Sequence, residues 1–80
     1  MNIVYYKQAV KSLERLDAST KQRIKHGIMG IPKGDIKKLQ GHTEIYRLRV
    51  GDWRIVFSYP DDNTVLIEKI SPRGEVYKGV

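Results

Sequence analysis

The tightest constraint in this chain is a stretch of alternation interrupted by Gly51-Asp52. Tyr46, Leu48 and Val50 alternate with Arg47 and Arg49, and Trp53, Ile55, Phe57 and Tyr59 then alternate with Arg54, Val56 and Ser58. A period of two on both sides of a short loop specifies a β-hairpin, and glycine at the first loop position suits a type II′ turn. If Gly51-Asp52 is the whole loop, Val50 pairs with Trp53, Arg49 with Arg54, Leu48 with Ile55 and Arg47 with Val56. Successive strand residues point to opposite faces. Tyr46, Leu48, Val50, Trp53, Ile55 and Phe57 therefore share an apolar face, while Arg47, Arg49 and Arg54 share the other and are expected to project into solvent. Like charges directly opposite each other weaken a sheet by roughly 0.2–1 kcal/mol per pair. The hairpin supplies no acid to offset that cost, so the arginine face suits an external anion.

The remaining chain surrounds this hairpin with a small set of elements. Ile3-Val4-Tyr5-Tyr6 reads as a strand, and Ala9, Val10, Leu13 and Leu16 recur at helical spacing through Lys7 to Asp17. Ser19 followed by Gln22 fits a capping box opening a second helix. Ile24, Ile28 and Ile31 make its apolar stripe, and Gly30 and Pro32 stop it. Residues from Pro32 to Glu44 read as a connection with one apolar anchor, Leu39. Pro60 to Asn63 composes a turn, and Thr64 to Ile70 a last strand. The expected fold is α+β, one domain over residues 1–80 in the order β-α-α-β-β-β. An N-terminal helical hairpin packs on one face of a small, mainly antiparallel twisted sheet. A four-residue loop at Pro60–Asn63 places Lys69 opposite Arg54 on the arginine face. It also turns Glu68 toward the core, which a bulge or another loop length would correct.

Composition narrows the chemistry. The 80 residues contain 15 Lys+Arg and 9 Asp+Glu, a formal charge of +6, and no cysteine. A chain this short supports one economical core and no large enclosed cofactor pocket. Without cysteine there are no disulfides, thiolate zinc sites or thiol nucleophiles. No apolar run approaches a membrane span and the polar N-terminus is no signal peptide, so a cytoplasmic protein without membrane attachment is expected. Two isolated histidines, His26 and His42, give no metal-binding spacing. The positive balance favours a polyanionic partner, most simply nucleic acid. Residues 1–30 hold six basic and two acidic side chains, so much of that balance lies on the helices, and the arginine face matters through its location.

Three segments, read in order, carry a family pattern: Pro32-Lys33-Gly34-Asp35-Ile36-Lys37-Lys38-Leu39-Gln40-Gly41, then Tyr46 through Phe57, then Ile70 through Arg73-Gly74-Glu75-Val76-Tyr77. Together they resemble the RelE side of the RelE/ParE toxin superfamily over nearly the whole chain. The resemblance implies a toxin of a type II toxin–antitoxin pair, an endoribonuclease that cleaves mRNA in the ribosomal A site. It also implies restraint by a cognate RelB-like antitoxin, with no cofactor and no metal. Its functional positions fall on Arg54, Arg73 and Tyr77 as catalytic residues and on Arg47 and Arg49 as RNA-binding ones. Lys69 joins the RNA-binding set through the register estimate.

The implied reaction is attack of an RNA 2′-OH on the adjacent phosphate, leaving a 2′,3′-cyclic phosphate and a 5′-OH. Arginine suits phosphate, because its planar fork binds two oxygens and stays charged. Arg54 and Arg73 are assigned to phosphate stabilisation, Arg47 and Arg49 to backbone positioning, and Tyr77 to base stacking or proton transfer. Some family members carry lysines where Arg47 and Arg49 stand. Arginine is a poor proton acceptor, which leaves the proton-transfer group open, with His42 and Glu75 as candidates. Two other readings share the fold or the charge: a ParE-like gyrase poison, and an RNA-binding module without catalysis.

Overall fold

The computed structural model describes residues 2–39, 41 and 44–72. Strand β1 (Asn2–Tyr5) leads into helix α1 (Lys7–Glu14) and helix α2 (Ala18–Met29), followed by β2 (Asp35–Lys38), β3 (Ile45–Val50), β4 (Trp53–Asp61) and β5 (Thr64–Pro72). The strands form one sheet in the order β1-β5-β4-β3-β2. Only β1, which pairs in parallel with β5, departs from antiparallel pairing. The expected α+β class and mainly antiparallel sheet hold, with one strand more than the sequence reading gave.

That extra strand is β2. Asp35–Lys38 pairs with β3 along Asp35↔Arg49, Ile36↔Leu48, Lys37↔Arg47 and Lys38↔Tyr46. One apolar residue in four gives little periodicity, and tertiary pairing makes the strand. The helix boundaries also shift. Helix α2 begins at Ala18, not after Ser19, because Asp17 is its N-cap: the Thr20 N–H donates to Asp17 Oδ2 at 3.2 Å. An aspartate in extended conformation ahead of the first turn satisfies a free amide there. Helix α1 stops at Glu14, and its expected stripe residue Val10 is 40% exposed.

The core lies between the helices and one face of the sheet. Ala9, Leu13, Ile24 and Ile28 from the helices, with Ile31, pack with Leu48, Ile55, Phe57, Val65, Ile67 and Ile70. Helix α2 comes close to β3 at Gly27, where an added Cβ would stand 2.8 Å from Val50 Cγ2. At the turn between β3 and β4, Gly51 has φ 57° and is the one positive-φ residue of the Gly51-Asp52 pair, as a II′ turn requires.

The β4–β5 ladder is less regular than expected. Asp61 pairs with Thr64, so the loop is Asp62-Asn63 and not Pro60–Asn63; Asn63 N–H caps it by donating to Asp61 Oδ1 at 2.8 Å. The register shifts between Ser58 and Asp61, where Pro60 needs no ladder donor, and again between Val56 and Phe57, where Glu68 is the extra residue on β5. The second bulge relieves the awkward placement of Glu68. The shorter loop moves Lys69 from its expected position opposite Arg54 to one opposite Val56, because the two bulges fall on opposite strands and cancel, and Ser71 faces Arg54 instead.

Candidate nucleic-acid interface

The hairpin register is the one the alternation specified: Val50↔Trp53, Arg49↔Arg54, Leu48↔Ile55 and Arg47↔Val56. Arg47, Arg49 and Arg54 consequently share the sheet face turned away from the helices. Lys69 and Ser71 of β5 join them through their pairing with Val56 and Arg54. Asp35 and Lys37 of β2 complete the face opposite Arg49 and Arg47. Lys37 is not among the expected site residues, because only a strand at Asp35–Lys38 gives it a face at all.

Depth divides the three arginines. Arg49 is exposed, whereas Arg47 and Arg54 are only 8% and 9% exposed, so the expectation that all three project into solvent is corrected. Alternation settles a face and says nothing of how far neighbours bury it. Val56, on this same face, is 3% exposed, flanked in the ladders by Arg47 and Lys69, whose long aliphatic stems can shelter it.

The two buried guanidiniums differ in their partners. Arg47 Nη1 donates to the Asp35 backbone oxygen at 3.0 Å and to Asp35 Oδ1 at 3.2 Å. The edge strand thus supplies the acid that the hairpin itself lacks. It reaches Arg47 diagonally, not Arg49 directly across from it. Arg54 has no such acceptor among the described residues, where its Nε and Nη1 are buried without a hydrogen-bond partner. A buried charged donor left unpaired carries its desolvation cost uncompensated. An anion seated on this face would supply what is missing, and phosphate oxygens match the guanidinium fork.

Elsewhere the chemistry is of opposite sign. A cavity of about 560 Å³ at another part of the surface is lined by Pro32, Glu44, Tyr46, Tyr59, Pro60, Asp61 and Asp62. Its carboxylates repel a polyanion. Asp61 stays charged, because hydrogen bonds from Asn63 and Thr64 hold its carboxyl below the ordinary value, while burial and then the Tyr46 phenol raise the Tyr59 hydroxyl above its own. Among the described residues no group of His, Asp or Glu is arranged to hold a metal ion, and no helix is long and apolar enough to cross a membrane. Arg73 and Tyr77, with His42 and Glu75, lie outside the described residues.

Comparisons with known proteins identify the family of the chain. A family model described as the ParE toxin of type II toxin–antitoxin system, parDE, matches residues 3–77. A protein of Methanocaldococcus jannaschii that carries the name RelE1 is 36% identical over 96% of this chain and 94% of its own length. Toxin RelE3 of the same archaeon is 31% identical over 96% of each. The crystal structure of a RelB–RelE antitoxin–toxin complex from Methanococcus jannaschii superposes with a TM-score of 0.75 at 28% identity, covering 92% of this chain and 94% of that one. With the family match spanning almost every residue, this chain belongs to the RelE/ParE superfamily of type II toxins, on its RelE side.

Proposed function

We propose that this toxin is an endoribonuclease that cleaves mRNA in the ribosomal A site, and that the arginine face of its sheet holds the scissile phosphate. The observation that carries the reading is Arg54, buried on a basic face with two donors lacking acceptors. Two relatives bear the name of RelE toxins, and the resemblance to that family implies the same reaction class.

In this reaction the RNA 2′-oxygen forms a bond to the adjacent phosphorus as the bond from phosphorus to the 5′-oxygen breaks. The 2′-OH loses its proton, the departing 5′-oxygen gains one, and the products are a 2′,3′-cyclic phosphate and a 5′-OH. Charge accumulates on the non-bridging oxygens. A preformed guanidinium meets that charge without reorganising, and one such donor is worth about 10²–10³ in rate. Arg54 takes this role, and the resemblance assigns the same role to Arg73. Arg49 and Lys69, together with the charge of Arg47, position the sugar–phosphate backbone. Tyr77 stacks on a base or takes part in proton transfer. A RelB-like antitoxin is the expected restraining partner, as in the archaeal complex whose toxin shares this fold.

Mapping mRNA 5′ ends after brief induction, with antitoxin withheld, tests the assignment. New 5′-OH ends within translated codons are expected for the wild type and lost in Arg54→Ala. Undiminished cleavage by that variant would remove the arginine face from the mechanism. Because the matching family model is described for ParE toxins, the competing outcome is gyrase poisoning, seen as DNA damage with unchanged mRNA ends.

A further inference from the structure

We propose that Lys37, on edge strand β2, is a phosphate contact of the RNA face, in the place that Arg47 leaves by turning to Asp35. The inference rests on the RNA-directed reading above and names a residue that reading does not use. Three observations carry it. Lys37 is paired with Arg47 in the β2–β3 ladder, which puts it on the arginine face at its outer margin. It is exposed, whereas Arg47 is 8% exposed. Arg47 also directs one guanidinium nitrogen to two Asp35 oxygens, at 3.0 and 3.2 Å. An RNA strand approaching from solvent therefore meets the Lys37 ammonium and the Arg49 guanidinium before it meets Arg47. A lysine is a mobile point charge with three donors, suited to a backbone phosphate whose position varies with sequence.

The neighbouring residue gives a built-in control. Lys38 is also exposed and carries the same charge one position along, but it pairs with Tyr46 and so belongs to the opposite, helix-side face. Net charge and general attraction to RNA change equally when either lysine is lost; only the face differs.

The experiment is a salt titration of the intact toxin with a short fluorescein-labelled single-stranded oligoribonucleotide, comparing wild type, Lys37→Ala, Lys37→Arg and Lys38→Ala, each first checked for an unchanged melting temperature. Each phosphate contacted on a single strand contributes about −0.7 to the slope of log K against log salt. Lys37→Ala should make the slope shallower by about 0.7, Lys37→Arg should restore it, and Lys38→Ala should leave it at the wild-type value. Equal slopes for Lys37→Ala and wild type, or equal losses in Lys37→Ala and Lys38→Ala, would overturn the inference while wild-type binding and cleavage left the RNA reading intact. Failure of the wild type itself to bind RNA would retire both.

Discussion

The two faces of the sheet are built from the same alternating strands and both bury side chains, yet the side chains they bury differ in chemistry. Toward the helices, Leu48, Ile55, Phe57, Val65, Ile67 and Ile70 are at most 3% exposed and wholly apolar. Away from the helices, Arg47, Arg54 and Ser71 are at most 9% exposed and polar, with Val56 buried among them. Burial on the first face removes hydrocarbon from water and stabilises the fold. On the second it removes charge from water, and for Arg54 Nε and Nη1 it does so without an acceptor among the described residues. One face therefore holds the molecule together, and the other, on the proposed function, is kept ready for a ligand at some cost to stability.

Phe57→Ala should break the stabilising face. Phe57 is fully buried, so truncation costs about 3–5 kcal/mol. A domain of 80 residues has only about 4–12 kcal/mol in total. Circular dichroism melts should show most of the cooperative transition lost, and a variant that melts like the wild type would refute the core described. Arg54→Met sharpens the contrast from the other side. Replacing an unpaired buried cation by an apolar side chain of similar length should leave stability equal or raise it by about 1–4 kcal/mol, while RNA cleavage falls by about 10²–10³. A clear loss of stability would mean that Arg54 is a structural residue. Asp35→Ala is milder. It removes one of Arg47's two acceptors from a half-exposed pair, so chemical denaturation should register about 1 kcal/mol or less.

The smallest effect is pH-dependent and lies outside both faces. Hydrogen bonds from the Thr20 side chain and backbone hold the Asp17 carboxyl below its usual value of 3.8. A depressed folded-state value means the contribution is present above the unfolded value and is lost as pH falls through the folded one. Wild-type melting temperature should therefore carry a small decline below about pH 4 that Asp17→Ala, already lowered at neutral pH, does not share. Parallel pH profiles would contradict the cap.

The hairpin was legible because three independent signals coincide at Gly51-Asp52: alternation before it, alternation after it and a turn residue able to take positive φ. Strand β2 was illegible because Ile36 is its single apolar residue, and at a sheet edge one anchor is enough. Its loss from the reading hid both the acid that answers Arg47 and the lysine beyond it. The placement of Lys69 failed for a different reason: composition suggests a turn over Pro60–Asn63, whereas the loop is Asp62-Asn63, and the two bulges, one on each strand, cancel before Lys69 is reached. Depth was also hidden, since spacing reports direction alone. Arg73 and Tyr77 were assigned by resemblance, and their position falls outside the described residues.

The bulge at Glu68 has a further consequence for chain length. Ile67 and Ile70 are both buried in the core although three positions separate them, and Glu68 is the residue that absorbs the odd step. Deleting Glu68 would leave Ile67, Lys69 and Ile70 in simple succession, opposite Phe57, Val56 and Ile55 as they already are. Strand β5 thus contains one site at which the chain can shorten by a residue without turning any side chain inside out, whereas a deletion in the regular run from Trp53 to Val56 would reverse every orientation beyond it.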